Sequence, residues 1–340
     1  FICTGSLKAA RLPCLYPVPQ NPSPGNSSML QTSGNHLQLT HPKYRPDIDG
    51  LRAIAVISVV VFHAFPEVMK GGFIGVDIFF VISGFLISTI IFQNLNEGTF
   101  SFAEFYARRV RRIFPALLIV LIGCYLFGWF VLYADEYKQL GRHMAGGAAF
   151  VSNFILWRES GYFDTSAETK PLLHLWSLGI EEQFYIVWPF LVWFAWKRKF
   201  SPLTLIVVIA GFSFLLNIGQ IGKDNVATFY SPQTRFWELL CGAWLAWIRL
   251  EQNRKESIPL GEKGRFSRLI NRLPPDLLAA SGFLLLLFGF WAIDEDIGFP
   301  GKWAAIPVVA TVLIIAAGRR SRINHVLLSN RVSVWFGLIS

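Results

Sequence analysis

The sequence predicts an all-α fold: a polytopic transmembrane helical bundle of about 9–10 membrane segments, one of them re-entrant or interfacial. Three observations predict it. Of 340 residues, 53% are hydrophobic and only 16% charged, with 31 Phe and 12 Trp, and the mean hydropathy is +0.44. A soluble domain of this length needs more charge to cover its surface. Apolar runs of spanning length recur along the chain. The net charge of +9 is gathered in short basic clusters between those runs. That is how the positive-inside rule distributes charge in cytoplasmic loops, and it argues against a nucleic-acid-binding face. Cys3, Cys14, Cys124 and Cys241 stand singly, with no CxxC spacing, so neither a disulfide framework nor a metal site is expected.

Residues 1–43 are rich in Pro, Ser, Asn and Gly without periodicity and read as a disordered tail. The tail has no apolar core long enough for a signal peptide, and no chemistry is expected of its His36 and His41. Residues 44–340 read as one membrane domain. Its first crossing is expected at about 49–65 and its second at about 73–92, joined by the polar turn 67–72. The loop 93–112 ends in FYARRVRR, four arginines in five positions. They predict a cytoplasmic loop, a cytoplasmic amino terminus and a His63 towards the outer face. A third crossing follows at 113–133 and ends outside.

The apolar stretch 144–157 contains Gly146, Gly147, Ser152 and Asn153. The crossing at 182–196 ends in Lys197, Arg198 and Lys199 and must begin outside. Residues 144–157 are therefore no simple span; a re-entrant piece, a surface-lying piece or one member of a pair satisfies the topology. Further crossings are expected at 203–221, 234–248, 277–292 and 303–317. Between them, 249–272 carries seven basic against three acidic residues, and 319–322 carries three basic ones. Residues 332–340 open another apolar run, so the natural polypeptide is expected to continue.

Chemistry is expected where ionisable groups enter hydrocarbon, at roughly 2.5–3.5 kcal/mol for Arg or Asp at a helix centre. Arg52 and His63 bracket the first crossing, about 16 Å apart at helical rise, and Asp77 opens the second. Arg108, Arg109, Arg111 and Arg112 offer two i, i+3 guanidinium pairs, each suited to a phosphate or pyrophosphate; lipid headgroups are the plainer partner. Glu181 and Glu182 lie at the mouth of a crossing, suited to orienting His63, binding an acceptor hydroxyl, or simply anchoring a helix end. His174 and Trp176, just before them, fit an interfacial belt. Arg235 and Glu238, at i, i+3, are expected to neutralise one another. GxSxG, Walker A, GxGxxG and HExxH are all absent from the sequence, leaving hydrolase, nucleotide-driven pump and metalloprotease readings without a motif.

Four stretches in order, DGLRAIAVISVVVFHA (49–64), GGFIGVDIFFVISGFLIS (71–88), FYARRVRRIFPAL (105–117) and LHLWSLGIEEQFYIVWP (173–189), resemble the membrane acyltransferases of the acyltransferase-3 family. The likeness is to the branch that O-acetylates bacterial surface polysaccharides such as lipopolysaccharide O-antigen. It implies an enzyme of the bacterial inner membrane, with acyl-CoA (acetyl-CoA) as a donor used from the cytoplasm and no permanently bound cofactor. The acceptor would be a hydroxyl of a polysaccharide or glycolipid outside. By position, His63 corresponds to the family's essential histidine, Arg52 to the arginine of its GLR motif, and Glu181 and Glu182 to its EEQFY acids. Its Arg-x-x-Arg motif falls on Arg109 and Arg112 or on Arg108 and Arg111; Arg112 directly precedes Ile113-Phe114-Pro115, which favours the former. His63 would act as base or as acyl carrier, and the residues alone leave that open. The resemblance also implies a further membrane segment, and often an extracytoplasmic SGNH hydrolase-like domain, after residue 340. The rival reading is a proton-coupled secondary transporter using Arg52, His63, Asp77, Arg235 and Glu238, although no internal repeat supports it.

Overall fold

The computed structural model describes residues 44–160, 170–256, 273–294 and 297–340, and every regular element among them is helical. The expected tail and most of the basic stretch 249–272 lie outside the described residues. The helices are α1 (Pro46–Ala64), α2 (Gly75–Glu97), α3 (Phe102–Val131), α4 (Ala134–Ala148), α5 (Ser152–Glu159), α6 (Leu175–Lys197) and α7 (Pro202–Gln220). They continue with α8 (Asn225–Tyr230), α9 (Pro232–Glu256), α10 (Pro275–Ala292), α11 (Ala305–Ala317), α12 (Arg322–Leu327) and α13 (Arg331–Ile339).

Four segments combine the length and apolarity of a span: Gly72–Glu97, Phe102–Val131, Pro202–Gln220 and Pro275–Ala292. Three of these, α3, α7 and α10, are mostly exposed and form the bundle's outer wall; in α3 only 17% of the most apolar window is buried. In α2 the figure is 67%. Charge in the interior sits on the inner helices: α1 holds Asp47, Asp49 and Arg52, α2 holds Asp77, α6 holds Glu181 and Glu182, and α9 holds Arg235 and Glu238. There polar groups meet partners instead of lipid.

The inner packing is tight where the sequence supplies glycine. A Cβ on Gly84 of α2 would lie 1.8 Å from the Leu239 carbonyl of α9, and one on Gly242 would lie 2.1 Å from the Val81 carbonyl. Only residues without a side chain let the two backbones cross so closely. Trp188 of α6 reaches α2 by donating Nε1–H to Ser88 Oγ at 2.8 Å. On α7, Ser213 Oγ donates to the Gln233 carbonyl at 2.6 Å and accepts from Trp237 N–H at 3.0 Å, binding that helix to α9.

The expected loop 93–112 is shorter than its charge suggests. Ser101 Oγ caps α3 by accepting from Glu104 N–H at 3.5 Å, and the helix runs unbroken through the arginines and past Pro115. The arginines thus ride on its first turns, outside any loop. The stretch 144–157 resolves into the end of α4, an elbow and α5. At about 22 Å and 12 Å, neither helix spans roughly 30 Å of hydrocarbon. The elbow turns at Phe150, which has a left-handed φ of 57°. Gln183 of α6 holds it by donating Nε2–H to the Phe150 carbonyl at 2.8 Å and to Asn153 Oδ1 at 2.9 Å. Asn153 Nδ2 in turn donates to the Tyr230 carbonyl at 3.0 Å.

Candidate active site

Two cavities lie along the same three helices, α1, α2 and α6. Chain direction separates them. On α1 one takes Arg52 and the other Val59, Phe62 and His63; on α2, running the opposite way, the first takes Ser83 and Ile87 and the second Val76, with Phe73 from the turn just before that helix. Phe79 lines both and marks where they adjoin.

The first cavity, about 370 Å³, is the arginine chamber. Arg52, Arg109 and Arg112 line it together with Glu181, Glu182 and Tyr185. Of the four arginines on α3, Arg109 and Arg112 are the pair that line it; Arg108 is tied to Glu104 one turn back along α3. The Arg109 guanidinium lies 5.1 Å from the centroid of the Tyr185 ring, a cation–π contact that fixes the direction of its fork. Glu181 accepts from Ser83 Oγ at 2.9 Å and from Tyr185 OH at 3.1 Å through the same oxygen, Oε2. Glu182 is buried, and its Oε1 has no hydrogen-bond partner. Arg52 Nη2 donates to the Ser340 carbonyl at 2.5 Å. Three guanidiniums over two carboxylates leave a net positive chamber of the size small molecules occupy, able to hold phosphate groups.

The second cavity, about 640 Å³, is the imidazole chamber. His63 sits in the last turn of α1, where Nδ1 lies 2.8 Å from the Val59 carbonyl. A carbonyl oxygen only accepts, so Nδ1 carries the hydrogen, and in the neutral ring Nε2 is left with the lone pair. His174, at the head of α6, meets His63 edge to face with ring centroids 4.6 Å apart. Surrounding protein holds the His174 imidazole below its ordinary pKa, and neighbouring His63 adds to the effect. Trp176, Phe229 and Phe299 contribute aromatic walls.

Beneath this chamber lies a buried charge cluster. Arg235 Nη1 is 3.0 Å from Glu238 Oε1 and 3.3 Å from Asp77 Oδ1. All three side chains are at most 1% exposed. Four rings, Phe80, Trp176, Phe229 and Phe299, stand 5.4–5.8 Å from the guanidinium. The expected Arg235–Glu238 pair is present, and Asp77 joins it from α2. Removing one member would leave uncompensated charge, which costs about 3–5 kcal/mol in such settings.

The structure divides the residues expected to carry chemistry. Arg52, Arg109, Arg112, Glu181 and Glu182 come together; His63 stands apart from both acids, with His174 as its neighbour. Arg108 and Arg111 do not line the chamber. Ser83 and Tyr185 join the first chamber, and His174, expected only in an interfacial belt, lines the second. Tyr185 was visible at i+4 from Glu181, whereas Ser83 gives no signal in sequence. Among the described residues, no group of three or more His, Cys, Asp or Glu side chains is placed to hold a metal.

A helical bundle with span-length apolar helices and cationic and imidazole-lined chambers on shared helices defines a multi-pass membrane protein. Residues 45–340 match the profile of the Acyltransferase domain family, and the chain belongs to that family: it is a membrane acyltransferase domain. The putative peptidoglycan O-acetyltransferase YrhL of Bacillus subtilis is 34% identical over 309 residues, 87% of this chain and 47% of that protein. The peptidoglycan O-acetyltransferase OatA of Listeria monocytogenes is 36% identical over 215 residues, 61% of this chain and 34% of that protein. The O-acetyltransferase OatA of Staphylococcus aureus (strain NCTC 8325) is 34% identical over 284 residues, 81% of this chain and 45% of that protein. The chain thus spans less than half the length of these relatives. No solved structure is a significant match. The transporter reading finds no support in these relationships.

Proposed function

We propose that the domain moves an acyl group, acetyl by the names of its relatives, from acyl-CoA on the cytoplasmic side to a hydroxyl of a cell-wall polysaccharide outside. The single observation that carries this reading is the pairing of the two chambers on α1, α2 and α6, adjoining at Phe79. In the arginine chamber, Arg109 and Arg112 hold the CoA phosphates in bidentate fashion while Arg52 lies deeper. The thioester passes Phe79 and reaches His63 Nε2, so CoA stays inside and only the acyl group crosses.

Peptidoglycan is the acceptor this reading favours, because two of the relatives carry it in their names; the lipopolysaccharide expected from sequence has no such support. This reading sets the arginine chamber and the amino terminus in the cytoplasm, the side the positive-inside rule favours for the basic clusters. The test uses inverted membrane vesicles holding the full-length protein, supplied with acetyl-labelled acetyl-CoA on the former cytoplasmic face and glycan inside. Label in the glycan is expected; label that stays in CoA with a folded protein present rejects the reading.

A further inference from the structure

We infer that His174 is a second catalytic imidazole, the base for the acceptor hydroxyl, while His63 carries the acyl group. The inference rests on the acyl-CoA reading and divides a labour that reading leaves undivided. A single His63 cannot do both: once Nε2 is acylated and Nδ1–H is held by the Val59 carbonyl, the ring has no lone pair with which to take a proton.

Some other group must therefore accept the hydroxyl proton, and the chamber restricts the choice. Among the described residues that line it, the ionisable ones are His63, His174, Tyr230 and Arg235. Arg235 is a permanent cation pinned between Asp77 and Glu238, and a phenol is a poor base near neutrality. Glu181 and Glu182 open into the other chamber. His174 remains, edge to face with His63 at 4.6 Å between centroids and open to the same space. Surrounding protein and neighbouring His63 lower its pKa, which favours the neutral ring that can accept a proton.

The steps balance. His63 Nε2 attacks the thioester carbonyl; the C–S bond breaks, CoA leaves as thiolate, and an Nε2-acyl-imidazolium forms with Nδ1–H still on the Val59 carbonyl. The acceptor hydroxyl then attacks the acyl carbon as His174 takes its proton. The C–N bond breaks, ester leaves, and His63 returns neutral. His174 releases its proton to the outer chamber, and the thiolate gains one from the inner side.

The test follows label on the full-length protein in membranes, with acetyl-labelled acetyl-CoA and soluble peptidoglycan glycan fragments. In His174→Gln, present in the membrane at wild-type level, the protein is expected to take up label as fast as wild type. It should hold that label at least 100-fold longer, while His63→Gln takes up none. His174→Ala assayed with and without added imidazole reports the same step in a protein already folded, and added imidazole should restore transfer. If His174→Gln delivers label to glycan at the wild-type rate, or His174→Ala binds donor yet ignores imidazole, the assignment falls. If wild type itself moves no label from acetyl-CoA, the acyl-CoA reading fails instead.

Discussion

The two chambers share three helices and differ in what makes them work. The arginine chamber is electrostatic: three guanidiniums line it, with Arg109 aimed by the Tyr185 ring and Arg52 bonded to the Ser340 carbonyl, while Glu181 is held by two hydroxyl donors. Among the described residues, the imidazole chamber presents one fixed cation, Arg235, paired with Asp77 and Glu238, beside two rings in contact and aromatic walls. On the proposed reading, the first holds the donor's phosphates and the second carries out the transfer.

The predictions follow from that contrast. The largest effect belongs to the imidazole side. His63→Ala is expected to lower acyl transfer by roughly a thousand-fold or more while leaving donor KM unchanged, since it removes a reacting atom and no binding group. On the arginine side the pattern inverts. Arg109→Ala or Arg112→Ala should cut kcat/KM for acyl-CoA by about 10–100-fold, chiefly through KM. Arg109→Lys should rescue little, because a lysine supplies charge without the fork that lies against Tyr185. A third, smaller effect tests how Glu181 is held: Tyr185→Phe removes one of its two donors and should cost about 1 kcal/mol, or roughly fivefold in rate. If kcat and KM move together in every one of these variants, the division between holding and reacting is wrong.

The smallest effect lies outside both chambers. Glu159 Oε2 accepts from His143 Nε2 at 2.7 Å, Lys170 Nζ at 3.1 Å and Gln139 Nε2 at 3.2 Å, tying α4 and α5 to the residues before His174. Partial burial pushes the Glu159 carboxyl up, but the His143 and Lys170 donors outweigh it and hold the group below its ordinary value. Its folded pKa is therefore depressed. The stability it contributes is complete above the ordinary glutamate value of about 4.3 and drains away as pH falls through the lower folded value. Thermal unfolding in detergent should show acid destabilisation in wild type that is weakened in Glu159→Gln, with the variant a few degrees less stable at neutral pH.

Much of this arrangement was legible in sequence. Hydropathy alone located the helices α1, α7 and α10 to within a few residues, and for α7 and α10 the length and composition are those lipid imposes on a span. The Arg109–Arg112 face followed from i, i+3 spacing. What sequence withheld depends on contacts between distant segments. Asp77 looked solitary until α9 brought Arg235 to it, and Glu181 looked ready to serve His63 until α2 offered Ser83. The elbow at Phe150 was visible only as a stretch too short to span, because what fixes it is Gln183 on another helix.

The glycine-to-carbonyl crossing of α2 and α9 carries a lesson about motion. Those two rods meet backbone to backbone at Gly84 and Gly242, so any side chain placed at either position would force them apart. On the proposed reading, a pair of helices braced in this way would let the acyl group be handed past Phe79 without alternating access.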